Sequence, residues 1–402
     1  MHRRNAYLAV AWLATAALAI GQTPPPDVTS APTTSMCSDG CSGGSRGFYG
    51  SLEYLLFDFR DGPAPALIQH VPNNQVFLNP LPQNAAITMY GDGIRHHAFD
   101  GFRIEAGYWV NDTWAGEVSF FQFETKNKRF EIASDGDPSI GRYYKDLTNK
   151  SNPNTYLIFA EPVDPNNPQS TRTSGFINAS SPLRLWGAEA NVKTPGYAVF
   201  SERCDYLVGF RYIDLRDGIF ISDGTTFHDG SGLSIFGEDR FYATNQFYGA
   251  QVGFNSEGVL GCGFTFGVTG KMAIGGVQQQ IDINGVTTET VNGVVTKTFP
   301  GHVLTQPSNI GTYSRTRFAF VPELILKLGY QFGDHVNVSL GYDIFSITSV
   351  VRPGGVIDEG INPNNSPVLI PNGKLDAQRP SFNFHGTDFW AQGITLGIAV
   401  NY

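Results

Sequence analysis

The charged residues that could guide ions or solutes fall on one face of a series of alternating segments. From residue 47 onward, apolar and polar residues alternate with a period of two, which is typical of β-strands. The face opposite the aromatic side chains carries eight charged residues: Arg103, Glu105, Glu117, Glu189, Arg211, Glu323, Lys327 and Asp343. Around a wide aqueous channel these groups would set ion preference, whereas across a narrow lumen they would pair and brace the wall.

Catalytic and cofactor chemistry has weak support in this sequence. The histidines at 96–97, 228, 302, 335 and 385 lie mostly in predicted loops, and no G-x-S-x-G motif accompanies them. The glycine-rich stretch 41–44 lacks the Lys-Ser/Thr of a phosphate loop, and the acidic turns match no EF-hand spacing. We therefore expect no enzymatic activity, no cofactor and no metal. A net charge of −9 argues against nucleic acid as a partner.

Ten alternating segments make up the predicted wall. Their bounds are 47–58, 99–110, 113–124, 183–193, 203–216, 240–254, 259–273, 317–332, 336–349 and 389–402. Short turns and long loops alternate between them, which is typical of outer-membrane barrels with periplasmic turns and extracellular loops. The sequence thus predicts an all-β fold, a single-chain antiparallel transmembrane barrel of about ten strands. Asn292-Gly293 lies between Thr/Val-rich arms and predicts a hairpin, either an extracellular extension or a pair that raises the count to twelve.

The last segment has the cleanest alternation. One face presents five large apolar side chains: Ile394, Leu396, Ile398, Val400 and Tyr402. Outer-membrane barrels characteristically end in an aromatic residue on such a strand. We interpret this face as lipid-facing and as the one that the barrel-assembly machinery recognises.

The N-terminal region predicts export. A basic start at Arg3-Arg4 precedes an apolar run of about 14 residues and small residues near position 21, the layout of a signal peptide over 1–21. Residues 22–46 are rich in Pro, Thr and Ser and predict a periplasmic linker, which leaves 47–402 for the barrel. The predicted location is the bacterial outer membrane.

Two of the four cysteines lie within the predicted wall. Cys204 and Cys262 are placed on the lipid face of the fifth and seventh segments, with one strand between them. That spacing separates them by about 10 Å, which exceeds the Cα distance that a disulfide spans. We expect no bond between them.

The composition supports a chain that exposes apolar surface to lipid. Only 16% of the residues are charged, whereas soluble domains carry roughly 25%. Aromatic residues make up 13% of the chain. Together with the alternation, this favours a barrel over a secreted sandwich.

Several stretches of the predicted barrel carry a family pattern. They are 47–55 (GFYGSLEYL), 184–191 (RLWGAEAN), 209–215 (GFRYIDL), 239–251 (DRFYATNQFYGAQ), 341–343 (GYD), 350–358 (VVRPGGVID) and 362–363 (NP). These stretches resemble beta-barrel porin family seven, outer-membrane proteins known chiefly from planctomycete genomes. The resemblance implies an outer-membrane barrel and supplies no catalytic residues.

Three functions follow as hypotheses. The first is a porin-like barrel that passes small solutes or ions passively through a charged lumen. The second is a structural or adhesive barrel with a sealed lumen, whose long loops bind surface partners. The third is a soluble, secreted β-sandwich. The first two require outer-membrane lipid and the assembly machinery as partners.

Overall fold

A computed structural model describes residues 47–71, 87–150, 154–167, 169–197, 203–369 and 377–402. The predicted signal peptide and linker, with Cys37 and Cys41, lie outside the described residues. Within those ranges the helical elements are two 3₁₀ turns, Pro353–Gly355 and Pro363–Asn365. No helix in the described part of the chain is long and apolar enough to cross a membrane.

Strands make up most of the described chain. In chain order they are β1 (Phe48–Phe59), β2 (Ala66–Val71), β3 (Ile87–Gly91), β4 (Phe99–Trp109), β5 (Ala115–Phe123), β6 (Lys126–Ser134), β7 (Ser139–Asp146), β8 (Asn154–Ala160), β9 (Thr173–Pro195), β10 (Arg203–Phe227), β11 (Leu233–Gly261), β12 (Phe264–Val291), β13 (Val294–Pro300), β14 (Gly311–Phe332), β15 (Val336–Val351), β16 (Gly360–Ile361) and β17 (Gly386–Asn401).

An antiparallel sheet closes on itself through about ten of these strands. The order around the ring is β1-β4-β5-β9-β10-β11-β12-β14-β15-β17, and β17 pairs back onto β1 from Tyr49–Asn401 to Phe59–Ala391. Each predicted wall segment overlaps one of these strands. The prediction of an all-β, antiparallel ring of about ten strands is thereby confirmed.

Short turns join the strands at one end of the ring. Between β4 and β5, the Asn111 side chain accepts hydrogen bonds from the backbone N–H groups of Thr113 and Trp114, at 2.8 and 2.9 Å. Between β11 and β12, Cys262 and Gly263 both have positive φ, which suits a two-residue hairpin. The predicted turn at 255–258 is therefore wrong, because β11 continues to Gly261.

The two cysteines differ from their predicted environments. Cys262 lies in this turn and not on a lipid-facing strand. Cys204 is buried near the start of β10, where its carbonyl accepts a hydrogen bond from Gly196. Cys204 is a free thiol, so the prediction that no disulfide joins it to Cys262 is confirmed.

At the other end, the long connections fold instead of forming loops. The predicted loops at 217–239 and 274–316 are wrong for most of their length, because β10, β11 and β12 run through them as strands of 25, 29 and 28 residues. Asn292-Gly293 does form a hairpin, and β13 pairs with β12 outside the ring. It is therefore an extension of β12.

We call the folded part beyond the ring the head. It comprises β2, β3, β6, β7, β8, β13, β16 and the distal parts of β9 to β12. A second sheet, ordered β16-β7-β2-β3 with β8 on β7, supplies Leu67, Ile68 and Ile140 to a core that also contains Ile221 and Phe241 of the long strands. The head therefore has its own buried core.

The outer surface of the ring is apolar. Among the outward-facing side chains with at least 39% exposure are Leu52, Tyr54, Phe102, Ile104, Tyr108, Val118, Tyr206, Val208, Phe210, Val252, Phe254, Leu326, Leu328, Leu340, Tyr342, Ile394, Leu396, Ile398 and Tyr402. Such a continuous apolar surface is far larger than soluble monomers expose. Many of the aromatic and aliphatic residues that distinguish the composition thus lie on the outer surface of the ring.

Candidate functional site

The inside of the ring at the short-turn end holds a layer of interlocked charges. Arg103 lies at its centre: its guanidinium is 3.2 Å from carboxylate oxygens of both Glu53 and Glu323, and it also pairs with Asp343. All four side chains are at most 7% exposed. Because Arg103 bridges three carboxylates from three other strands, it ties β4 to β1, β14 and β15 across the lumen.

A second cation extends this network. Arg211 Nη1 lies 2.7 Å from Glu323 Oε2, and its Nε lies 3.4 Å from Glu189 Oε1. Lys271 Nζ lies 2.8 Å from Glu189 Oε2. Gln251 Nε2 donates to the same Glu189 oxygen at 2.9 Å. Each carboxylate therefore has cationic or amide partners, as buried charges require.

The third part of the layer surrounds Glu117. Lys193 pairs with Glu117, the Tyr49 hydroxyl donates to it at 2.9 Å, and Asn191 Nδ2 donates at 3.2 Å. Lys327 pairs with Glu53. We call the whole set the charged layer: Glu53, Arg103, Glu105, Glu117, Glu189, Lys193, Arg211, Lys271, Glu323, Lys327 and Asp343.

A layer of buried aromatic residues lies next to the charged layer. It consists of Phe57, Phe59, Phe99, Phe121, Phe123, Phe345 and Phe389, each at most 3% exposed. Phe59 stacks on Phe99 with ring centroids 4.0 Å apart, and Phe57 lies 5.0 Å from Phe123. We call this set the aromatic layer. Burying each such ring contributes on the order of 2 kcal/mol, so this part of the lumen is built like a protein core.

Cations cover the aromatic layer on two sides. The Arg211 guanidinium carbon lies 5.7 Å from the Phe345 ring centroid, and that of Arg352 lies 5.7 Å from Phe389. Arg352 pairs with Asp217, and both are buried. Arg211 therefore joins the aromatic layer to the charged layer, and Arg352 joins it to Asp217 of β10.

A buried polar cluster lies inside the head. Arg142 is 2.8 Å from Asp223 and 2.6 Å from Asp239, and His302 Nε2 is 2.6 Å from Asp223. His302 Nδ1 is 2.9 Å from the Thr287 hydroxyl, so the order Thr-His-Asp has the geometry of a nucleophile, a base and an orienting acid. All three are 0–1% exposed, which denies a substrate access. We assign the cluster a bracing role.

Asp239 makes the head sensitive to acid. Burial alone would raise the pKa of this carboxyl, but the charges of Arg142 and His302 and hydrogen bonds from Thr305 and Leu304 outweigh it and hold the pKa below the usual 3.8. A lowered acid pKa stabilises the folded state above the unfolded pKa, and that stability is lost as the pH falls below about 3.8. We expect the urea midpoint to drop between pH 6 and pH 3, and to drop less in Asp239→Asn. An equal drop in both proteins would contradict this assignment.

Comparison with known proteins identifies the chain. The family described as "Putative beta barrel porin-7 (BBP7)" matches residues 49–402. The chain belongs to this family. Among solved structures, the BBP7 chain resembles the outer-membrane protease OmpT of Escherichia coli at 9% identity and a TM-score of 0.41, covering 89% of this chain and 97% of that one.

A second solved structure is more distant from the BBP7 chain. A FadL homologue of Pseudomonas aeruginosa is 7% identical, with a TM-score of 0.23 and coverage of 89% and 90%. No curated protein matches the chain. The family match, and not these distant likenesses, identifies it.

All eight sequence-predicted charges of the BBP7 chain lie on the inward-facing side of the ring. Seven of them make the ion pairs described above, and Glu105 lies within electrostatic reach of Glu117 and Lys193. Their partners Glu53, Lys193 and Lys271 were missed by the sequence reasoning. Each of the three lies at an alternate position of its strand that points into the ring. Applying the same alternation to every residue of the segments 47–58, 183–193 and 259–273 would therefore have found them.

The predicted terminal face of the BBP7 chain points outward. Ile394, Leu396 and Ile398 are 50–54% exposed, Tyr402 is 65% exposed, and Val400 is half-buried. The Tyr402 ring stacks on His335, and its backbone N–H donates to Phe48. The recognition of this face by assembly machinery stays a prediction. In the described part of the chain, no cluster of three or more His, Cys, Asp or Glu residues could hold a metal ion.

Proposed function

We propose that this protein is an outer-membrane β-barrel with a sealed lumen, which displays the head at the cell surface as a structural or adhesive element. The observation that carries the proposal is that the side chains of the charged layer, the aromatic layer and the head core are buried against one another instead of lining an exposed channel. An ion would have to leave water to pass seven buried phenyl rings, and desolvating an unpaired charge in such surroundings is prohibitive.

The outer surface supports the membrane part of the proposal. A closed ring pairs its backbone groups between strands and leaves no open edge, as hydrocarbon requires. Its exposed apolar side chains match a lipid-facing band, and the charged residues on the inside are shielded from lipid. The family assignment agrees with this placement.

The location of the head can be tested with an epitope tag. An insertion between Asp229 and Gly230, in the turn from β10 to β11, should bind antibody on intact cells, because this turn lies at the head end. The matched control inserts the same tag between Gly333 and Asp334, in the short turn from β14 to β15, and should bind only after the outer membrane is permeabilised. Folding of both variants is checked by heat-dependent migration in detergent gels. A head tag that is inaccessible on intact cells would contradict the proposal.

A second candidate function is passive passage of small solutes. The porin description of the family favours it. It requires an open path through the charged layer, which would then set ion preference. The two candidates predict opposite electrical behaviour in planar lipid bilayers: no conductance for a sealed lumen, and conductance steps for an open one.

A further inference from the structure

The outer face of the head carries a trough with a volume of about 500 Å³. It lies on the solvent side of β6, β9, β10 and β11. Its lining residues are mostly polar: Asn127, Arg129, Glu131, Asn178, Ser180, Ser222, Glu238 and Arg240, with Phe220 and the backbone of Ala179. Nothing in the sealed-barrel function uses this feature.

Strand register places these side chains in two parallel rows across four strands. In the first row, Arg129 pairs opposite Ser180, Ser180 opposite Phe220, and Phe220 opposite Arg240. In the second row the order is Glu131, Asn178, Ser222 and Glu238. Each flank of the trough therefore offers one guanidinium and one carboxylate, and its middle offers hydroxyls and an amide.

The difference in side-chain length makes the trough. The central strands carry Asn178, Ser180 and Ser222, with the ring of Phe220 at one end, whereas the flanking strands β6 and β11 carry arginine and glutamate. At about 4.8 Å between strands, the flanks are roughly 14 Å apart. This width and the volume of about 500 Å³ suit two or three sugar rings and are too small for a folded protein surface.

Aromatic rings close both ends of the trough. Toward the tip of the head, Phe176 and Phe236 approach each other over Gly224, with centroids 6.3 Å apart. Toward the ring of the barrel, Phe220 and Tyr242 are stacked at 6.3 Å and 13°. Flat aromatic rings beside clustered hydroxyl, amide and carboxylate groups suit a ligand with apolar faces and polar edges.

The floor of the trough is rigid. The opposite face of the same strands carries Ala179, Ile219 and Ile221, which are buried in the head core at 0–3% exposure. Because the inner side chains are packed, the outer groups keep their spacing without a ligand. A preformed site avoids much of the ordering cost of binding.

We infer that this trough binds an oligosaccharide of two or three rings. Sugar hydroxyls both donate and accept hydrogen bonds, and they can satisfy guanidinium, carboxylate, hydroxyl and amide groups together. A simple phosphate fits less well, because Arg240 is already paired with Glu238 and a second carboxylate, Glu131, lines the same space. The polar floor disfavours an apolar ligand.

The distance of the trough from the apolar surface of the ring favours a sugar over a lipid headgroup as its ligand. Phe220 lies eight residues beyond Tyr212, the outward aromatic residue of β10 that stacks near Trp186 and Tyr248. At about 3.3 Å per residue, this is roughly 26 Å along the strand. A trough so far beyond the apolar surface meets surface glycans, whether free or tethered to a lipid. The inference does not depend on whether the lumen conducts.

A glycan array tests the inference with purified protein in detergent. The array carries neutral, N-acetylated and uronic di- to tetrasaccharides, and lipopolysaccharide vesicles are assayed beside it to separate free from lipid-tethered sugars. We expect selective binding to at least one of these sugar classes. Titration calorimetry with the bound oligosaccharide then measures the Kd of each variant.

Two variants within the trough and one matched control outside it locate the site. Ser222→Tyr fills the floor with a ring and should weaken binding at least tenfold, as should Arg129→Ala, which removes one flank. Gln278→Tyr places the same ring on an exposed position of β12 outside the trough and should leave the Kd within twofold. Absence of binding to every sugar class, or equal binding by Ser222→Tyr and Gln278→Tyr, would overturn the inference.

Discussion

Replacing Arg211 by methionine should destabilise the barrel by about 3–5 kcal/mol, because breaking a buried ion pair leaves uncompensated charge. Arg211 is fully buried, and its loss removes a cation that Glu189 and Glu323 share. Lys271 then remains close to both carboxylates, and Arg103 stays 3.2 Å from Glu323. In an open channel the same change would cost little, because water and counterions would solvate the carboxylates. The measurement is urea unfolding in detergent, followed by tryptophan fluorescence.

Two further variants show whether the loss of stability comes from the buried ion pair. Lys297→Met removes an exposed pair with Glu289 at 3.3 Å on the head and should change stability by less than about 1 kcal/mol. The double variant Arg211→Met, Glu323→Gln removes one cation and one carboxylate and leaves Glu189 paired with Lys271, so it should recover part of the loss. If the single variant at Arg211 is as stable as wild type, the charged layer is hydrated.

Truncating Phe123 to alanine should cost about 3–5 kcal/mol, the range for a large aromatic side chain lost from a packed core. Its ring is 1% exposed and lies 5.0 Å from both Phe57 and Phe59. The cost arises from the lost transfer energy and from the cavity that the neighbouring rings cannot fill. A phenylalanine lining a water-filled pore would leave no such cavity.

The matched control lies on the opposite face of the neighbouring strand. Phe102 is 39% exposed and points outward from β4. In Phe102→Ala, detergent or lipid occupies the space, and we expect a loss below about 2 kcal/mol. Equal losses for Phe102→Ala and Phe123→Ala in the same unfolding assay would show that the aromatic layer is not a packed core.

The ring and its faces were predictable from the sequence because period-two alternation is local. In the terminal segment, whether a residue's number is odd or even is enough to assign it to one face or the other. The Asn292-Gly293 pair predicts a hairpin because these residue types favour the tight turn between two strands. The inside of the ring was harder. Phe121 and Phe123 fall on the inward face of the segment 113–124, where a polar residue is the rule for water-filled barrels. Once the lumen is packed, inward phenylalanines are core residues.

The head was missed for a different reason. Residues 217–239 are rich in Gly, Asp and Ser, which have weak strand signals and favour turns. They form strands because β10 and β11 pair with each other along their whole length, and because Ile219, Ile221 and Phe241 bury one face in the head core. Tertiary burial of this kind outweighs local propensity. The rows of the trough likewise depend on strand register, which composition does not encode.

Single-channel recording in planar lipid bilayers distinguishes a sealed lumen from an open one. The wild-type protein, refolded in detergent and verified by its heat-dependent gel migration, should insert and give no conductance steps in 1 M KCl. A porin of known conductance, inserted in the same bilayers, confirms that steps are detectable. Reproducible steps from the folded wild-type protein would contradict the sealed lumen and support passive passage.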